Sequence, residues 1–170
     1  MLDARCCTLY AVYMRIIGID PGYERLGIAV VEKNSGKETL VHSECFQTDS
    51  KLPFHARLLL VGNILERVIK EHTPKHLALE NVFFNTNQKT AMDVAAVRGV
   101  ILYIGRLHNL EIFEYTPPQI KSAIGGSGRA NKKETASMLH YLIHINKEIR
   151  LDDEYDAIAV ALTHSAIHRK

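Results

Sequence analysis

No apolar run in this 170-residue chain approaches the roughly 18 residues that span a bilayer, so a membrane helix is not expected. Asp3 and Arg5 interrupt the first thirteen residues, which removes the apolar centre a signal peptide needs. A soluble, cytoplasmic protein is the expectation. Cysteine is scarce: Cys6, Cys7 and Cys45 are an odd set whose spacing suits neither a zinc site nor a disulfide framework. They read as incidental thiols in a reducing compartment. Repeats, low-complexity tracts and long linkers are absent, and 46% hydrophobic with 24% charged residues is ordinary for one globular domain. Residues 1–13 carry no clear period, cap or motif. They are expected to be a disordered or mis-assigned extension before a single domain over 14–170, with Met1 or Met14 as the natural start.

Charge of one sign is also lacking. The formal net charge of +2 does not announce a nucleic-acid binder, yet the distribution is uneven. No acid stands between Glu114 and Glu134, where Lys121, Arg129, Lys132 and Lys133 fall. A basic edge of this kind draws in phosphates while sparing carboxylates elsewhere, although basic runs are more often only solvated surface.

The patterning predicts a meander of strands over Arg15–Asp20, Leu26–Glu32 and Lys37–Thr48, turned at Pro21–Arg25 and Asn34–Gly36. Leu58, Val61, Leu65, Val68 and Ile69 at helical spacing between Pro53 and Pro74 predict a helix over Phe54–His72. His76–Glu80 and Glu111–Tyr115 read as further strands, the second stopped by Pro117-Pro118. Between them, Gln88–His108 reads as a helix apolar round most of its circumference, which suits burial on two sides, within the monomer or in a dimer. Helices over Gln119–Ile124, Lys132–Ile145 and Asp153–His168, with a mobile loop at Gly125–Gly128, complete the expected order. The fold class is α/β, with a mixed sheet flanked by helices.

What the sequence does hold is a carboxylate where an apolar strand has no stability reason to keep one. Ile16-Ile17-Gly18-Ile19 runs into Asp20-Pro21-Gly22, and an unpaired carboxylate beside a core costs several kcal/mol or a large pKa rise. Glu80 repeats the pattern after Leu77-Ala78-Leu79. Asp153 and Asp156, three residues apart, share a helix face ahead of the apolar run Ala157–Leu162. Three have a plain structural explanation: Asp20 as a turn aspartate, Glu80 as a strand-end acid and Asp153 as a helix-start acid favoured by the macrodipole, whereas Asp156 fits less well because it adjoins the apolar run rather than the cap. Their combination is far more specific. Four converging carboxylates need cations between them, and an all-oxygen set without Cys or His points to Mg²⁺ or Mn²⁺. A pair of such ions suits in-line phosphoryl displacement.

With these acids stand Gly18–Gly22, Glu80-Asn81-Val82-Phe83, Arg98-Gly99, Gln119-Ile120-Lys121, the Gly126–Lys132 loop and Asp153–Ala159. Over nearly all of Met14–His168 the chain resembles a RuvC-type Holliday-junction resolvase of the ribonuclease-H-like superfamily. The resemblance implies a ribonuclease-H-like, five-stranded mixed sheet and an endonuclease that nicks two symmetric strands of a four-way junction during recombination and repair. It implies that Asp20, Glu80, Asp153 and Asp156 are the catalytic, metal-binding acids of a site holding Mg²⁺, with Mn²⁺ able to substitute and two ions in each site. It also implies DNA contacts by Phe83, stacked on an unpaired base, and by Lys121 and Lys132, with Arg129 in the same basic loop. A core role for Phe83 stays open, and neighbouring Phe84 fits that role at least as well. Implied partners are a second copy of the chain, through the Gln88–His108 helix, and the branch-migration proteins RuvA and RuvB. The first thirteen residues have no counterpart in the pattern, and Gly125 is an additional glycine beside the loop.

The pairs His140/His144 and His164/His168 have zinc-like spacing but enclose no metalloprotease Glu, so surface or cap histidines are expected. The glycine-rich stretch from Gly125 to Lys132 lacks the second glycine of a P-loop. An actin-like ATPase needs two such domains, which the length disfavours, and a non-catalytic junction-binding module could lose acids that are all present here. A single-domain nuclease acting on other nucleic acids is the nearest competitor.

Overall fold

The structure, a computed structural model, describes residues 13–81, 88–126 and 132–168. Among these, five strands form one mixed sheet in the order β3-β2-β1-β4-β5. Strands β1 (Tyr13–Asp20), β2 (Arg25–Asn34) and β3 (Lys37–Gln47) make the expected antiparallel meander. β4 (His76–Glu80) and β5 (Glu111–Tyr115) add parallel to β1. The β2–β3 turn places Ser35 at φ 51° and Gly36 at φ 84°, the left-handed pair a tight hairpin requires. β1 starts two residues earlier than the pattern suggested, because Tyr13 pairs with Asn34 at the end of the longer β2. Tyr13 therefore belongs to the domain. Residues 1–12 lie outside the described residues.

Alternation along each strand sorts side chains onto two faces. Ile17 and Ile19 of β1 and Leu77 and Leu79 of β4 join one core, closed by α1 (Phe54–His72) and α2 (Gln88–Leu107) through Val61, Leu65, Val97 and Ile101. Ile16, Ala29 and Ala78 face the other way, into a core shared with α3 (Pro117–Gly125), α4 (Lys132–Leu142) and α5 (Asp152–Ile167). Helices therefore cover both faces of the sheet. Among the described residues no helix is long and apolar enough to cross a membrane.

Further boundaries differ from the sequence pattern, those of α3 for local reasons. α3 begins at Pro117, because Thr116 and Gln119 form a capping box and the prolines fill the first helical positions, where no N–H is needed. The same prolines that end β5 start the helix. Gly125 lies inside α3 and Gly126 caps it at φ 67°, so the expected loop begins later, and its remainder lies outside the described residues. α4 ends at Leu142, three residues short of the expected limit.

His164 corrects the surface assignment outright. It is 0% exposed within the apolar part of α5. His164 Nδ1 lies 2.7 Å from the Tyr115 hydroxyl and Nε2 lies 2.7 Å from His76 Nδ1, so both ring nitrogens are satisfied. Phe113 and His168 pack against the same ring. Burial, with His168 and His76 beside it, pushes the His164 pKa down to about 3. Because the folded value is below the ordinary 6.5, His164 contributes its full stability above that pH and loses it as pH falls toward 3. In that window the cost is about 1.4 kcal/mol per pH unit. His164→Gln is expected to lower stability at pH 7 yet flatten the fall between pH 7 and 4, as read by urea unfolding at each pH.

Candidate active site

The strand register brings the first two acids together. β1 and β4 run parallel with Ile19 beside Leu79, so Asp20 and Glu80 follow at the same edge of the sheet. Asp20 shares a face with Ile16 and Gly18, and Glu80 shares a face with Ala78; this is the face α5 covers. Both carboxylates are half-buried.

Two glycines let α5 reach that face. A Cβ on Gly18 would stand 2.4 Å from the Ala157 carbonyl oxygen and 2.8 Å from Ala161 Cβ. A Cβ on Gly27, the direct partner of Asp20 across the β1–β2 ladder, would lie 2.0 Å from the Asp153 carbonyl oxygen and 3.2 Å from Asp20 Cβ. The helix backbone therefore rests on strand backbone. This contact sets the first turn of α5, with Asp153, over the Asp20 end of the sheet, and Asp156 follows in the next turn. Asp152, Asp153 and Glu154 occupy that first turn, favourably for the helix dipole, but no side chain caps it; Leu151 is the N-cap. Glu154 turns inward, buried and 2.5 Å from Lys147 Nζ.

Cys45 on β3 reports the convergence. Its thiol lies 4.0 Å from Asp153 Oδ2, a weak donor contact, and its pKa is pushed up to about 11, first by burial and then by the negative field of Asp153, Glu154 and Asp20. It is thus no incidental thiol in position, and at neutral pH it stays protonated. Arg25 supplies positive charge at the same place: its Nη1 lies 3.2 Å from Asp153 Oδ2 and 3.6 Å from Asp152 Oδ1.

The loop between Asp20 and Arg25 is fixed from beneath. The buried Arg57 of α1 donates from Nη2 to the Tyr23 carbonyl at 2.9 Å and from Nε to Thr48 Oγ1 at 2.8 Å. Thr48 in turn donates its hydroxyl to the Tyr23 carbonyl at 2.7 Å and its N–H to the Glu24 carbonyl at 3.0 Å. The Arg57 guanidinium also lies 5.0 Å over the Tyr23 ring. Arg25, Cys45 and Arg57 were not evident from the sequence; the only available signal for Arg25 was its place five residues after Asp20.

Strand register thus supplies Asp20 and Glu80 to one edge, and the Gly27 contact lays the Asp153 end of α5 over the face they share. Among the described residues, no three His, Cys, Asp or Glu side chains already enclose a common point as a metal cage. The carboxylate chemistry of the candidate acids nevertheless suits a hard divalent cation. Lys121 sits half-exposed on α3, which packs on α5. Phe83 and Arg129 lie outside the described residues, as does the side chain of Lys132 at the start of α4.

A mixed sheet with three antiparallel strands, two parallel additions and an acid-bearing helix across β1 is the ribonuclease-H-like nuclease fold. The yeast mitochondrial Holliday junction resolvase Ydc2 shares the fold, at TM-score 0.68 and 12% identity over 92% of this chain and 81% of that one. The family model for crossover junction endodeoxyribonuclease RuvC matches residues 16–164, and the chain belongs to that family. The RuvC of Halothermothrix orenii is 38% identical over 92% of this chain and 94% of its own length. A Thermus thermophilus RuvC solved in complex with a Holliday junction substrate matches at TM-score 0.86 and 31% identity, over 92% of this chain and 95% of that one.

The Gly27 contact makes a direct prediction. Gly27→Ala is expected to push Asp153 off β2, lowering the melting temperature and reducing nuclease activity in the protein that remains folded by at least about tenfold. Circular dichroism melting and nicking assays below the transition measure the two effects separately.

Proposed function

We propose that this protein resolves Holliday junctions as a homodimer, making symmetric metal-dependent nicks in two strands during recombination and repair. What supports this reading is the register that sets Asp20 and Glu80 at one edge of the sheet and the backbone contact that lays the Asp153 end of α5 on Gly27, the partner of Asp20. These four residues would hold the divalent ions, Mg²⁺ or Mn²⁺ and two in each site, which supply an activated water and charge stabilisation of the leaving oxygen. The chain's own contribution is to hold the carboxylates at fixed separations on strand and helix backbone. Their mutual repulsion leaves the site attractive to cations.

Lys121, Arg129 and Lys132 would hold backbone phosphates, and Phe83, three residues beyond Glu80, would stack on an unpaired base at the junction centre. The outer surface of α2 supports the dimer: Met92 is 76% exposed, Tyr103 65% and Leu107 56%, while Val97 and Ile101 face the core. A two-fold dimer answers the two-fold symmetry of the four-way junction. RuvA and RuvB are the proposed functional partners, in the cytoplasm.

Asp20→Asn is expected to abolish Mg²⁺-dependent cleavage of a synthetic four-way junction, by more than about a thousandfold, while junction binding persists in a gel-shift assay. Retained cleavage overturns the metal-site assignment. Comparing a mobile four-way junction with linear duplex and RNA/DNA hybrid tests the substrate, because carboxylates alone do not choose among them. Preferential cutting of the junction is expected, and equal or greater cutting of the hybrid would assign a different nuclease activity.

A further inference from the structure

We propose that Arg25 is a built-in counter-cation of the active site, a positioning residue that holds Asp153 by Oδ2 and competes with incoming metal for that carboxylate. The inference rests on the metal-dependent reading above and adds to it a residue that controls how tightly the ion is held. Three observations carry it. Arg25 Nη1 is closer to Asp153 than to Asp152, at 3.2 Å against 3.6 Å, so the buried-side acid receives the stronger contact. The Arg25 side chain is 45% exposed, and an ion pair so open to water contributes little to stability. Its position is nevertheless fixed. Arg57 and Thr48 grip the backbone at Tyr23 and Glu24 just before it, while β2 pairs Arg25 with Gln47 and passes Gly27 beneath Asp153.

A guanidinium delivered so deliberately to a catalytic carboxylate has two opposed effects. It orients the acid, through a planar group that is always charged. It also repels a divalent ion that seeks the same oxygens, since two cations sharing one carboxylate oppose each other.

The two effects separate in the full-length protein. In Arg25→Gln, Mn²⁺ binding without DNA, followed by electron paramagnetic resonance, is expected to tighten by about three- to tenfold because the competing charge is gone. On a four-way junction at saturating Mg²⁺, the same variant is expected to lose about tenfold in kcat with KM within about twofold, because the carboxylate is less well held. Arg25→Lys keeps the charge without the fork, so its Mn²⁺ affinity should stay near wild type while kcat recovers only in part. Unchanged or weaker Mn²⁺ binding in Arg25→Gln, or an unchanged kcat, overturns the proposal. A merely structural arginine would not tighten metal binding when removed. Because the metal measurement uses no DNA, a wild-type protein that binds Mn²⁺ but spares junctions overturns the substrate reading alone.

Discussion

Everything in this molecule hangs on the backbone contact between α5 and the β1–β2 pair. At Gly18 and Gly27 the strands present no side chain, and the carbonyls of Ala157 and Asp153 come close enough that even a methyl group would collide. Close-packed interiors cannot absorb such an intrusion without moving an element. The contact joins the two sources of carboxylate, since Gly27 pairs with Asp20 and touches Asp153, while Gly18 touches the residue after Asp156. Fold and site share one constraint.

Electrostatics then acts on what packing has assembled. Four carboxylates near one edge would repel one another, and a buried cluster of that kind would shift toward protonation. The acids here are half-buried rather than enclosed, and Arg25 adds a positive charge from the strand that follows the Asp20 loop. Deeper in, two buried polar side chains are held by close partners: Lys33 donates to the Ser165 carbonyl at 2.6 Å, and His164 sits between Tyr115 and His76. The acid sensitivity of this second cluster is therefore one of stability, distinct from the chemistry at the sheet edge.

The elements were largely legible because their signals are local. α1, β4 and β5 fall on the residues that hydrophobic period and proline punctuation indicate. The four acids were legible for a related reason: a carboxylate ending an apolar strand, or starting an apolar helix, contradicts its surroundings. Missed features depend either on a local cap that a nearby residue must complete or on partners far away in the chain. Thr116 turns Pro117 from a strand stop into a helix start only because Gln119 completes the cap. His164 resembles any exposed histidine until Tyr115 and His76, 49 and 88 residues away, are folded against it. Cys45 becomes notable only when Asp153, 108 residues later, arrives beside it.

The sequence by itself determined the element order, the two-faced strands and the identity of four carboxylates in conspicuous places, since period and local contradiction are written in neighbouring residues. The tertiary structure alone decided that α5 lies on bare glycine backbone, that Arg25 reaches Asp153 and that Arg57 grips the loop between Asp20 and Arg25. These pairings join groups far apart in the chain. Nothing in local propensity encodes them, because their energy exists only once the sheet and helix surfaces meet.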